Sequence, residues 1–165
     1  MKRALSAFAL GLVTVVQADE TADAKKAIQA QMDAFCNAAK LRDGTKMERA
    51  LRTAFAENAT VTPYKSKPIK LDGWILNQKS QLAMLDKIDS ISLKITSLKI
   101  NGARGTLRSS FKMVGYLQPA SGTARVKLES SGVSEDSIAK VKGAWKITSS
   151  KAMTGSVLLN GKPAK

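Results

Sequence analysis

"DSIAKVKGAWKI", residues 136–147, sets a Lys-Gly pair between two segments of period-two apolar residues. That arrangement predicts a tight β-hairpin turning at Lys142-Gly143, with Trp145 and Ile147 resuming an inward face. One of only two tryptophans in the chain follows the turn directly.

The same period extends upstream. Ala124, Val126 and Leu128 alternate with Arg125, Lys127 and Glu129, and "QPASG" breaks the strand before them. In the strand before that, Leu107, Phe111, Met113 and Leu117 share one face and Arg104, Arg108 and Lys112 the other. Asn101-Gly102 reads as a hairpin turn. Ile91, Leu93 and Ile95 share one parity while Leu98 and Ile100 share the opposite one, which predicts a bulge near Thr96 or Ser97. The tail "LLNGKPAK" is expected to extend a strand and then fray.

Before residue 88 the period is helical. Ala24, Ile28, Met32, Phe35 and Ala39 form one stripe, with Cys36 on its flank and Gly44 as the expected stop. Met47, Ala50, Leu51, Ala54 and Phe55 form a second stripe, which Thr45 and Glu48 would open as a capping box. "ATVTPYKSKPIKL" reads as short edge strands because of Pro63 and Pro68. Asp72 would cap a third helix over 73–87, with Ile75, Leu76, Leu82 and Leu85 inward.

The order of helix, helix, short strands, helix and long strands suits α+β architecture, with N-terminal helices packed in a strongly curved antiparallel sheet. Here "DSIAKVKGAWKI" resembles the last hairpin of the nuclear transport factor 2-like superfamily, which includes polyketide-cyclase-like and ketosteroid-isomerase-like proteins. "LRTAFAENATVTP" similarly resembles that superfamily's second helix running into its first strand. The resemblance implies a cone-shaped fold with a pocket between sheet and helices. Trp145 would then seal one end of the sheet as a core residue, because large aromatics dominate core burial.

The chain opens with Lys2 and Arg3, an apolar run over 4–16 and small residues at Val16-Gln17-Ala18. This is a signal-peptide pattern, so residues 1–18 are expected to be removed and 19–165 to form one domain, exported to the periplasm or outside. The net charge of +14 would fall to +12. Cys36 is the only cysteine and there is no histidine. No disulfide within the chain can form, and neither a metal nor a cofactor is expected. Cys36 is read as a small buried hydrophobe.

Ser109, Phe111, Met113, Ser130 and Asp136 fall on the inward parity and are the expected ligand-binding residues of the pocket. Asp136 is the best candidate for pocket chemistry, and Tyr64, in the edge-strand region, is a weaker one. The competing reading, preferred at this point, is that Gly132 marks an irregularity that turns Asp136 to solvent. Outward parity gives Lys94, Arg104, Arg108, Lys112, Arg125 and Lys127 to one basic face, joined by Lys146. This face would suit an anionic membrane surface or acidic polymer, or serve only for solvation. Nucleic acid is not an expected partner after export. The leading functional expectation is a binding domain for a small apolar or amphipathic molecule. Two alternatives stand beside it: an isomerase, dehydratase or cyclase using Asp136, and an interaction protein using the basic face.

Overall fold

The computed structural model describes residues 5–118 and 124–164, with side chains from residue 20 onward. The expected signal peptide falls among side chains that are not described, and the break at 119–122 lies outside the described residues. Helices α1 (Leu5–Lys40) and α2 (Gly44–Ala54) lead into strands β1 (Phe55–Thr62) and β2 (Ile69–Lys70), then α3 (Leu71–Ala83). Strands β3 (Leu85–Asn101), β4 (Arg104–Leu117), β5 (Lys127–Val141), β6 (Ala144–Leu159) and β7 (Lys162–Pro163) complete the chain. The sheet runs β2-β1-β6-β5-β4-β3, with β7 paired to β6. It curls around the helices without closing.

The sheet is mixed, which corrects the all-antiparallel expectation: β1 lies parallel to β6. β1 therefore sits between β2 and β6, and of the two short strands only β2 is an edge. The two prolines flank β1 and β2 at the turn, where no ladder donor is needed.

The hairpins turn where the dipeptides place them. Gly102 adopts φ 55, and Lys142 and Gly143 adopt φ 51 and 81. The β3–β4 register shifts between Ile95 and Ser97, which makes Thr96 the bulged residue and brings Leu98 and Ile100 to the inner side. The tail does not fray at once: Asn160-Gly161 turns and β7 pairs back on β6.

Ala24, Ile28, Met32 and Ala39 of α1 are buried, as are Met47, Ala50, Leu51 and Ala54 of α2 and Phe55 just beyond it. Local signals at the helix ends differ from expectation. The Asp43 carboxylate accepts the Lys46 amide at 2.9 Å and caps α2, displacing the Thr45–Glu48 box. Glu48 instead bridges Arg52 and Lys79. Arg42, at φ 55, takes the left-handed turn after α1, and Gly44 opens α2 rather than stopping α1. Lys70, with no side-chain cap, precedes α3, and Asp72 lies in its first turn, paired with Arg52. Ile75 and Leu82 point inward, Leu76 points to solvent, and Leu85 belongs to β3.

α1 also closes an open edge. β3 ends the sheet, and the Gln29 amide donates to the Leu93 carbonyl at 2.9 Å and accepts from the Ile95 amide at 3.3 Å. One side chain thus stands in for a short piece of missing strand beside the bulge. Trp145 and Ile147 are buried in the core. The Gln31 amide reaches the Trp145 carbonyl, and the Lys140 ammonium lies 5.5 Å from the indole centre. Trp145 therefore ties the start of β6 to α1, as the seal it was expected to be. Among the described residues, no helix is long and apolar enough to cross a membrane.

Candidate functional site

Curling the sheet around α1, α2 and α3 leaves a cavity of about 380 Å³. Its walls are apolar: Met32, Phe35, Leu51, Phe55, Trp74, Phe111 and Met113 all line it. Phe55 and Trp74 meet at 5.4 Å with a 48° tilt and form one aromatic corner. All the residues expected at the pocket line it: Ser109, Phe111, Met113, Ser130, Asp136 and Tyr64.

Asp136 is only 3% exposed, which overturns the expectation that an irregularity at Gly132 would turn it outward. An irregularity does occur there, with a register shift between Val133 and Ser134. The extra residue, however, lies on β6: Val133 pairs with Thr154 and Ser134 with Ala152, so Met153 is bulged. β5 keeps its alternation, and Leu128, Ser130, Gly132, Ser134, Asp136 and Ile138 stay on one side. A Cβ on Gly132 would lie 2.7 Å from the Thr154 carbonyl oxygen, so this glycine serves a close strand approach.

Three polar residues of the lining, Ser109, Ser134 and Asp136, meet on β4 and β5. Ser109 and Ser134 hydroxyls lie 2.9 Å apart, and Ser134 donates to Asp136 Oδ2 at 3.1 Å. With the Ser134 proton on Asp136, Ser109 is the donor to Ser134, and the chain of hydroxyls points at the carboxylate. Burial pushes the Asp136 pKa up to about 6, against the pull of the Ser150 and Ser134 hydroxyls toward the charged form. Ser150 is the position opposite Asp136 on β6. Among the described residues, Asp136 Oδ1 has no hydrogen-bond partner, and neither has Gln31 Oε1, on the α1 side of the cavity.

Tyr64 stands at the rim, 43% exposed, with its ring against Gly155. It forms no hydrogen bond with Asp136, so the two candidates do not make a paired acid–base set. Ser134, Ser150, Gln31 and Trp74 were not singled out from the sequence. Ser134 shares the parity of Asp136 and could have been found from that alone. Ser150 needed the β5–β6 register, and Gln31 and Trp74 needed the packing of helix on sheet.

Cys36 is buried, and burial raises its pKa to about 11, which leaves the thiol protonated. Among the described residues, no group of three His, Cys, Asp or Glu side chains is placed to hold a metal.

The outer face is less simply basic than its parity suggested. Arg104, Arg108, Lys112 and Lys94 are exposed there. Arg108 pairs with Glu135 at 3.3 Å, Arg125 with Asp86 at 2.7 Å, and Lys127 with Glu129. Lys146 donates to the Thr53 carbonyl in the last turn of α2 and does not join the face. Cross-strand register supplies the carboxylates that a reading of single strands leaves out.

No family model matches the chain, and no curated protein matches it in sequence. Solved structures do match. A conserved protein from Planctomyces limnophilus superposes with TM-score 0.62 at 15% identity, over 86% of this chain and 98% of that one. A protein from Novosphingobium aromaticivorans, provisionally named an aromatic ring hydroxylase, gives 0.60 at 16% identity, over 82% and 94%. A nuclear transport factor 2-like protein of unknown function from Shewanella baltica gives 0.52 at 17% identity, over 81% and 92%. At these identities the likeness carries the fold.

Proposed function

We propose, starting from a nuclear transport factor 2-like fold, that this chain is an exported domain that holds one small amphipathic molecule in its cavity. The observation that carries the proposal is the cavity itself, about 380 Å³ with mostly apolar walls and a cluster of hydroxyls beside one buried carboxyl. Ligand sites of this kind are concave, mostly apolar and fitted with a few placed polar groups. The signal-peptide pattern at residues 1–18 supports export.

The experiment is a titration with the neutral dye N-phenyl-1-naphthylamine, followed by its fluorescence. Saturable binding at one site is expected for the native chain. Ser130→Trp and Ala152→Phe each put bulk into the cavity from a different strand, and each should abolish binding. Saturable binding that survives both changes would place the dye elsewhere and defeat the proposal. Intact-mass measurement on protein recovered after export should show the loss of residues 1–18.

A second reading rests on a specific observation. Asp136 is a buried carboxyl with a pKa near 6, which suits proton abstraction near neutral pH. Its test is deuterium exchange from water into the carbon beside a bound ketone's carbonyl, read by mass spectrometry. Exchange that stops in Asp136→Asn would favour an enzyme of isomerase, dehydratase or cyclase type. The basic face gives the weaker third reading, as an interaction surface for anionic lipid or acidic polymer, because carboxylates already pair Arg108, Arg125 and Lys127.

A further inference from the structure

The chain has 27 lysines and arginines, yet among the described residues none of them lines the cavity. Among the described residues, the only Asp or Glu in the lining is Asp136, itself buried. Among the described residues, two buried acceptors without a hydrogen-bond partner, Asp136 Oδ1 and Gln31 Oε1, belong to cavity-lining residues. Buried acceptors of this sort demand donors.

Resting on the reading of this cavity as a ligand site, we infer that its ligand is a cationic amine carried on a compact apolar body. An ammonium brings donors and no acceptor, whereas a carboxylate or phosphate brings only acceptors. An anionic headgroup would also meet a like charge with no lysine or arginine to offset it. The outlying cations oppose entry of an amine, but exposed charges are screened over about 10 Å at 0.1 M salt. At contact, the desolvated carboxylate dominates. The apolar body would lie against the Phe55–Trp74 corner and Phe111.

The test uses three probes with one body: 2-(2-naphthyl)ethylamine, 2-(2-naphthyl)ethanol and 2-naphthylacetate. Binding to the full chain is measured by calorimetry near neutral pH. The amine should bind at least about tenfold more tightly than the alcohol, as expected for a buried charge-assisted contact. The carboxylate should bind most weakly. Asp136→Asn should erase the preference for the amine while alcohol binding persists, and circular dichroism should show the variant folded. Equal or tighter binding of the carboxylate overturns the inference, and so does an amine preference that survives in Asp136→Asn. If none of the three binds, or if all bind equally well to Ser130→Trp, the cavity reading itself fails. That result differs from failure of the amine inference alone, in which the alcohol still binds and Ser130→Trp still blocks it.

Discussion

Glu135 and Asp136 are neighbours on β5 and face opposite ways. The Glu135 side chain is about half exposed and pairs with Arg108 across the strand. Asp136 is buried with hydroxyls around it, keeps one oxygen unpartnered and, among the described residues, has no cation in the cavity wall beside it. One step along a strand therefore takes a carboxyl from the solvated outer face to an enclosed inner one. What differs between the two is the dielectric and the partners, and both are set by the alternation of the strand. The outer face sets three of its cations against carboxylates, whereas the carboxyl on the inner face is set against hydroxyls alone.

The largest expected effect tests the contrast through an apolar neighbour pair. Leu107 is 1% exposed on the inner side of β4, next to the outward Arg108. Leu107→Ala should cost about 2–5 kcal/mol in denaturant unfolding, the range for a buried leucine. A cost below 1 kcal/mol would mean that the inner face is not packed as described.

Asp136→Asn comes next, and its sign depends on pH. Burial raises the carboxyl from its ordinary 3.8 to about 6, so between those values the folded chain holds a proton that the unfolded chain has released. Stability from that proton is complete below the lower value and is lost as pH rises through the upper one. The loss reaches about 3 kcal/mol for a shift of some two units. Asp136→Asn should therefore be more stable than the native chain at pH 8 and lose most of that advantage by pH 4. An advantage that does not change with pH would contradict the burial of this carboxyl.

Gly132→Ala should cost about 1–3 kcal/mol, because even a methyl group would press on the Thr154 carbonyl at 2.7 Å. A neutral result would mean that β5 and β6 separate easily at this point. The smallest effect belongs to the outer face. Arg108→Ala should cost less than about 1 kcal/mol, and that cost should shrink further at high salt.

The antiparallel part of this fold was legible because it is written in local chemistry. Lys142-Gly143 and Asn101-Gly102 fix two turns, and alternation between them fixes which side chains point inward. The change of parity after Ile95 even locates a bulge. Asp136 shows where that legibility ends. Its orientation depended on which strand absorbed an irregularity beside Gly132, and the bulged residue, Met153, is some twenty positions away on the partner strand. The same limit hid Ser150 from the site and Glu135 from the basic face, since both belong there through register. The helix ends failed for a different reason. Asp43 and Thr45 are both competent caps, and only the backbone path after Arg42 decides between them.

The parallel pairing of β1 with β6 bears on how the molecule comes together in time. Phe55 faces Ile147, so a strand made early in synthesis is completed only by the last long strand of the chain. Until that arrival β1 lacks its parallel partner, whereas α2 already has α1 to pack against. Closure over such a sequence separation is entropically slow. The β1–β6 pairing is thus the sheet contact of greatest sequence separation, and it joins two strands that both line the cavity.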